Sequence, residues 1–115
     1  MASLRRIQKL NRLFQKELSK IILKEVDLPQ DIFITLTQVK TSSDLSETKV
    51  YISVFPEKKA KTILDILKRN IYALQKSLDR KLRMRRIPKI VFFEDKEEEK
   101  AAKIEQILDN LDKNS

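Results

Sequence analysis

The sequence contains no cysteine, no histidine, no glycine and no tryptophan. At an average usage of about 7%, a chain of this length would carry roughly eight glycines. Each absence removes a class of function. Phosphate-cradling loops and dinucleotide fingerprints need glycine so that the backbone can approach an anion closely. A Cys/His zinc site has no ligands here. Ser-His, Cys-His and zinc-hydrolase chemistries lack an essential group. There can be no disulfide framework, which fits a reducing cytosol. No apolar run approaches the ~20 residues of a membrane span, and the basic N-terminus lacks the continuous apolar stretch of a secretory signal.

What remains is a chain of 115 residues, 41% hydrophobic, with 25 basic against 17 acidic residues and a net charge of +8. That length suits one domain able to bury roughly two-thirds of its unfolded surface. The charge is unevenly spread. Residues 1–25 hold seven basic and two acidic groups, and residues 57–89 hold twelve and three. Residues 90–115 reverse the balance, with four basic and eight acidic groups. A positive field concentrated in two segments points to a polyanion.

Periodicity organises the chain. Leu4, Ile7, Leu10, Phe14, Leu18 and Ile21 recur every three or four residues and predict a helix over 4–25, with Ser3 as its N-cap. Arg5, Lys9, Arg12, Lys16 and Lys20 repeat at the same spacing, about 160° from the apolar stripe at ~100° per residue. Pro29 separates this helix from a β-branched segment, 32–40, read as a strand. The cluster 41–46 is a turn. Residues 48–55 alternate, with Val50, Ile52 and Val54 on one face, and complete a hairpin.

A second apolar stripe runs from Ala60 to Leu82 and predicts a helix over about 57–86, ended by Pro88. That is long for a globular domain, so a break is expected, with Asn70 the weakest helix former at the right place. Residues 89–94 read as a third strand. A last amphipathic helix follows from Glu97, with Ile104, Ile107, Leu108 and Leu111 on one face. The expectation is one α+β domain over residues 1–111, a three-stranded sheet with helices on one face plus a C-terminal helix, and a frayed tail at 112–115.

The densest functional signal is the stretch from Lys76 to Lys89. Lys76, Arg80, Lys81, Arg83, Arg85, Arg86 and Lys89 face a single acid, Asp79. One or two cations complement a helix C-terminus; seven exceed that need and call for an external anion. Arginine's planar fork suits phosphate. On a helical wheel Tyr72 lies with Lys68 and Lys76 rather than with the leucines. There it can stack on an unpaired base or cover lysine stems and pack on the first helix; Tyr51 on the outward strand face has the same ambiguity. Glu97, Glu98 and Glu99 open a helix, where a solvated, dipole-friendly first turn explains them better than a metal site. Ser42, Ser43 and Lys40 lack an oxyanion hole and an orienting group. We therefore expect no enzyme, no metal and no cofactor, and a cytoplasmic monomer that binds no membrane. The candidate contact residues are Arg5, Lys9, Arg12, Lys16, Lys68, Tyr72, Lys76, Arg80, Lys81, Arg83, Arg85 and Arg86. A nucleoid-associated DNA-binding protein, or a basic module that meets an acidic protein, uses the same charges.

Several stretches resemble the ribosome-binding factor A family of bacterial small-subunit assembly factors. They are Arg6 to Ile22 in the first helix, VKTSSDLSETKVYISV from Val39 to Val54, and LRMRRIPKIVFFED from Leu82 to Asp95. The resemblance covers roughly residues 4–111. It implies a type II KH-like fold and binding to free or immature small ribosomal subunits near the 5′ helix and decoding region of their RNA. It also implies action late in assembly and during cold adaptation, no enzymatic activity, and a separate GTPase partner. One departure bears on mechanism. The family carries Ala-x-Gly at a helix–kink–helix, and here Asn70-Ile71-Tyr72 stands in its place. Either the kink forms differently or the helix is straighter, and binding should lean on phosphates and shape rather than base clamping.

Overall fold

A computed structural model of the protein describes residues 2–96. The elements in chain order are α1 (Leu4–Glu25), β1 (Phe33–Thr41), β2 (Glu47–Phe55), a single 3-10 turn (Glu57–Lys59), α2 (Ala60–Arg69), α3 (Ile71–Leu82) and β3 (Lys89–Glu94). The helix expected from Glu97, with Ile104, Ile107, Leu108 and Leu111, and the tail at 112–115 lie outside the described residues.

The sheet has the order β1-β2-β3. β1 and β2 form the expected antiparallel hairpin, whereas β3 lies parallel to β2. A parallel neighbour needs a crossover connection, and α2 with α3 supplies it. Helices cover one face of the sheet. Val50, Ile52, Ile90 and Phe92 point into the core from the strands and meet Phe14 and Leu18 of α1 and Ile63, Leu67 and Leu78 of the crossover.

β1 is less regular than its composition suggests. The register shifts between Leu36 and Gln38, leaving Thr37 as a bulge. Leu36 and Val39 therefore both reach the core although three positions apart, because one extra residue inverts the alternation. Thr37 Oγ1 donates to the Asp95 carboxylate, which ties the chain leaving β3 to β1. Elsewhere along β1, Gln15 Nε2 donates to the Leu36 carbonyl (2.6 Å) and Asn11 Oδ1 accepts from the Thr41 N–H (3.0 Å). Helix α1 thus satisfies backbone groups of an edge strand that would otherwise be open to pairing.

The helix break falls at Asn70 and needs no glycine. Asn70 has φ −94° and ψ 7°, in the bridge region that any L-residue can enter. Its N–H reaches the carbonyls of Ile66 and Leu67 (3.1 and 3.2 Å), and its side-chain amide donates to Ile66 O (2.8 Å). The side chain therefore caps α2 where the backbone ladder stops.

The far end of the crossover corrects the sequence expectation. Helix α3 stops at Leu82, not at 86, because Arg83 turns left-handed (φ 49°) and closes on the Asp79 carbonyl. Met84 and Ile87 then pack against the core from non-helical positions. The apolar stripe continues past Leu82, but a loop delivers it. Without glycine the chain places Asp31, Leu45 and Arg83 at positive φ, a geometry that costs an L-residue roughly 1–2 kcal/mol.

Candidate nucleic-acid interface

The first basic row is a consequence of how α1 docks. Ser3 caps the helix by accepting from the Arg6 N–H (3.3 Å). Burial of Ile7, Phe14, Leu18, Ile21 and Ile22 fixes the rotation of the helix. Arg5, Lys9, Arg12 and Lys16, with Lys20 continuing the row, are then all exposed.

Helix α3 runs antiparallel beside α1. Ser77 Oγ donates to Glu25 Oε2 (2.6 Å), and Lys81 Nζ lies 3.0 Å from Glu17 Oε2. This seam brings two basic stripes together. Glu17 is largely buried, and its carboxyl is held below the usual range first by the hydrogen bond from Lys81 and then by the positive charges of Lys81, Lys20 and Lys16, against an opposing burial cost. Lys81 is therefore partly neutralised by the molecule's own acid. Its role shifts from a free cation toward a strut between the helices, although half of its side chain remains accessible. Sequence spacing placed Lys81 within the α3 cluster but carried no sign that Glu17, on another helix, would claim it.

Arg80 and Arg83 are exposed at the end of α3, and Arg85 and Arg86 are exposed in the segment that links it to β3. Two backbone contacts locate this segment. Ala2 N–H donates to Ser43 O and Lys89 N–H donates to Ser46 O, both at 3.1 Å. The start of α1 and the start of β3 therefore flank the same turn, 42–46, and Arg5, Arg85 and Arg86 sit toward one end of the molecule. Gln75 holds that end in place, donating to Pro88 O (3.1 Å) and accepting from the Ile90 N–H (3.0 Å). The turn itself is built on Asp44, which accepts from Ser46 Oγ, Ser42 Oγ and the Ser46 N–H; these bonds draw its carboxyl down to about 2. Ser42 is thus committed to the turn, as expected for a structural rather than a nucleophilic serine.

Tyr72 lies in the first turn of α3, beside the Asn70 break, with Lys76 one turn further on. Tyr72 is 77% exposed, so it does not pack on α1. Lys76 Nζ lies 5.8 Å from its ring centroid, a cation–π arrangement that leaves the ring open to a further partner. Lys68 is exposed on α2, across the break from the others. The structure therefore joins the α1 row to Lys81, groups Arg80 with Arg83, Arg85 and Arg86, and leaves Lys68 apart. Among the described residues no group of three potential ligands could hold a metal ion, and no helix is long and apolar enough to cross a membrane. Glu97, Glu98 and Glu99 lie outside the described residues.

This fold has known counterparts. The family model for ribosome-binding factor A matches residues 6–108. Ribosome-binding factor A of Synechocystis is 31% identical over 115 residues, covering 96% of this chain and 86% of that protein. The crystal structure of ribosome-binding factor A from Thermus thermophilus superposes with a TM-score of 0.65 at 28% identity, covering 76% of this chain and 93% of the other. A homology model of the Thermus thermophilus factor, fitted into a cryo-electron-microscopy map of its complex with the 30S subunit, gives a TM-score of 0.55 at 29% identity, covering 72% and 92%. The match spans both the helix that carries the first basic row and the segment that carries the arginines, and on it the chain belongs to the ribosome-binding factor A family, with the family's α+β, KH-like fold.

Proposed function

We propose that this protein is a non-enzymatic assembly factor of the cytoplasm that binds the small (30S) ribosomal subunit as a monomer, through its RNA, and assists late maturation of 16S rRNA, including during growth in the cold. Arg5, Lys9, Arg12 and Lys16 on α1, with Lys68, Lys76, Arg80, Arg83, Arg85 and Arg86, contact the phosphate backbone, and Tyr72 stacks on an accessible base. The observation that carries this reading is the exposed cluster Arg80, Arg83, Arg85 and Arg86, which forms no ion pair with any described residue. The 30S complex of the Thermus relative supports the choice of partner.

The mechanism follows from the type of contact. Phosphate contacts fix register and orientation without reading sequence. A factor of this kind recognises the spacing of phosphates in folded RNA, so its partner must already be partly assembled. Because the Asn70 break is closed by its own side chain, no glycine-lined backbone is offered there to clamp bases. Neutralising roughly six phosphates predicts a log–log salt slope of about −4 to −5.

Replacing Arg80, Arg83, Arg85 and Arg86 together by alanine should abolish cosedimentation with small subunits while leaving the circular dichroism spectrum intact. Unchanged cosedimentation would remove these four residues from the interface. Cofractionation with the nucleoid, or a pulldown that survives RNase, would instead favour DNA or an acidic protein as the partner.

A further inference from the structure

Among the described residues, the helices cover one face of the sheet. The other face carries side chains that the helical interface does not use. In register, Lys40 of β1 lies directly opposite Lys49 of β2, and Tyr51 of β2 lies opposite Phe93 of β3. All four alternate outward from the core residues Val39, Val50 and Phe92.

Two facts about this face need an explanation. First, like charges placed directly across a strand pair are destabilising, yet Lys40 and Lys49 occupy such a pair, and neither forms an ion pair with a described residue. Of the acids nearby, Asp44 accepts three hydrogen bonds inside its turn, and Glu47, in register with Lys89, forms no ion pair with either lysine. Second, the rings of Tyr51 and Phe93 stack at 5.6 Å between centroids and 27° between planes, with Lys40 Nζ 5.6 Å from the Tyr51 centroid. Phe93 remains 39% exposed. A hollow of about 540 Å³ opens beside this group, lined by Lys40, Lys49, Tyr51, the carboxylate-bearing Asp44 and Glu47, and the serines of the 42–46 turn.

An anion accounts for the lysine pair and a planar ring for the aromatic pair. A nucleotide supplies both at a fixed separation. A duplex hides its base faces, whereas an unpaired strand exposes them to aromatic side chains on an open sheet. We propose that this face of the sheet is a second nucleic-acid site, distinct from the helical interface, that takes a single-stranded RNA segment. One base lies on the Tyr51–Phe93 pair, and its phosphate sits between Lys40 and Lys49. The proposal rests on the sheet geometry alone and does not require the helical face to be correct.

The chain has two tyrosines and no tryptophan, so a Tyr72→Phe background leaves Tyr51 as its only tyrosine reporter. Titration of this protein with a five-nucleotide oligouridylate should quench Tyr51 fluorescence. An abasic oligonucleotide of equal length should bind more weakly. Tyr51→Leu, followed by a labelled oligonucleotide, should lose about five- to a hundredfold in affinity, and Phe93→Leu, which tests the other half of the pair, should move in the same direction. Lys40→Gln with Lys49→Gln should flatten the salt dependence. The Arg80/Arg83/Arg85/Arg86 alanine variant should keep the Tyr51 quench, which separates this site from the helical one. Equal binding of the abasic strand, or unchanged affinity in both aromatic variants, would overturn the proposal. So would sedimentation showing that the face joins two copies of the chain while the oligonucleotide leaves Tyr51 unperturbed.

Discussion

The helical face and the open face of the sheet both carry cations, but they acquire them differently. On α1, one residue spacing buries Phe14 and Leu18 and exposes Arg5, Lys9, Arg12 and Lys16. The row is a by-product of core packing and would survive any rearrangement that kept the helix docked. On the sheet, Lys40 and Lys49 meet only because the hairpin adopts one register, and a one-residue slip would send one of them into the core. The helical cations are spread along a surface and suit a long polyanion. The sheet cations converge beside two rings and suit one nucleotide. A basic field attracts RNA in general, whereas a convergent pair with a stacking platform selects an exposed base.

That contrast can be broken experimentally. The largest effect is expected from the four-arginine variant. With up to about 1 kcal/mol lost per exposed phosphate contact, small-subunit affinity should fall by roughly two to three orders of magnitude and the salt slope should flatten by about 3. Combining it with Tyr51→Leu should give additive free energies if the two faces act separately, as distant sites do. A cosedimentation isotherm at several salt concentrations measures both.

Arg83→Gly sharpens the comparison by pulling binding and stability in opposite directions. Arg83 holds φ 49° at the end of α3. Glycine adopts that geometry without strain but costs unfolded-state entropy, so urea denaturation should show a protein unchanged to about 1 kcal/mol more stable. Subunit binding should weaken by one phosphate contact. A stable variant that binds less well would identify the strain as tolerated because it aims an arginine outward.

Asn70→Leu tests the break between α2 and α3. It removes the amide that donates to Ile66 O at 2.8 Å, so stability should drop by about 0.5–1.5 kcal/mol in urea unfolding. The angle of the Tyr72 end of α3 should loosen, while the 42–46 turn and the sheet face should not respond.

The smallest effect is expected at Asp44. Its carboxyl, lowered from 3.8 to about 2 by the Ser46 and Ser42 hydroxyls, should titrate with a carbon chemical-shift midpoint near 2. Because the folded value lies below the ordinary one, its stabilisation is present above about pH 4 and disappears as pH falls toward about 2. The turn that lines the sheet hollow should therefore hold at any pH where RNA binding is measured. Asp44→Ala should loosen the turn and lower oligonucleotide affinity, with a smaller effect on the Arg85–Arg86 segment that the turn holds through Lys89.

Much of this architecture was legible in the sequence. The first helix, its Ser3 cap and the break at Asn70 followed from local spacing and intrinsic preference, and the third strand was bounded correctly at 89–94. The end of α3 was not. An apolar pattern from Leu78 through Leu82 to Met84 and Ile87 reads as one stripe, but only its first part is helical; the rest reaches the core after a left-handed turn. Periodicity reports which residues are buried and is silent about a change of backbone geometry that keeps them buried. The bulge at Thr37 escaped for a similar reason, since an inserted residue imitates a break in alternation. The basic candidates were all found on the surface, yet the pairing of Lys81 with Glu17 depends on two helices that are distant in sequence.

The residues by themselves determined which chemistries are ruled out and where positive charge collects. A chain without histidine or cysteine has no imidazole, thiol or Cys/His zinc chemistry, and its basic rows follow from the same helical period that builds its core. The tertiary structure decided which cations remain available and which are held internally, and it brought Lys40, Lys49, Tyr51 and Phe93 onto one face. Local sequence sets the face of an element through a short repeat. Partners across a sheet or between two helices are set by register and packing, which involve the whole chain at once.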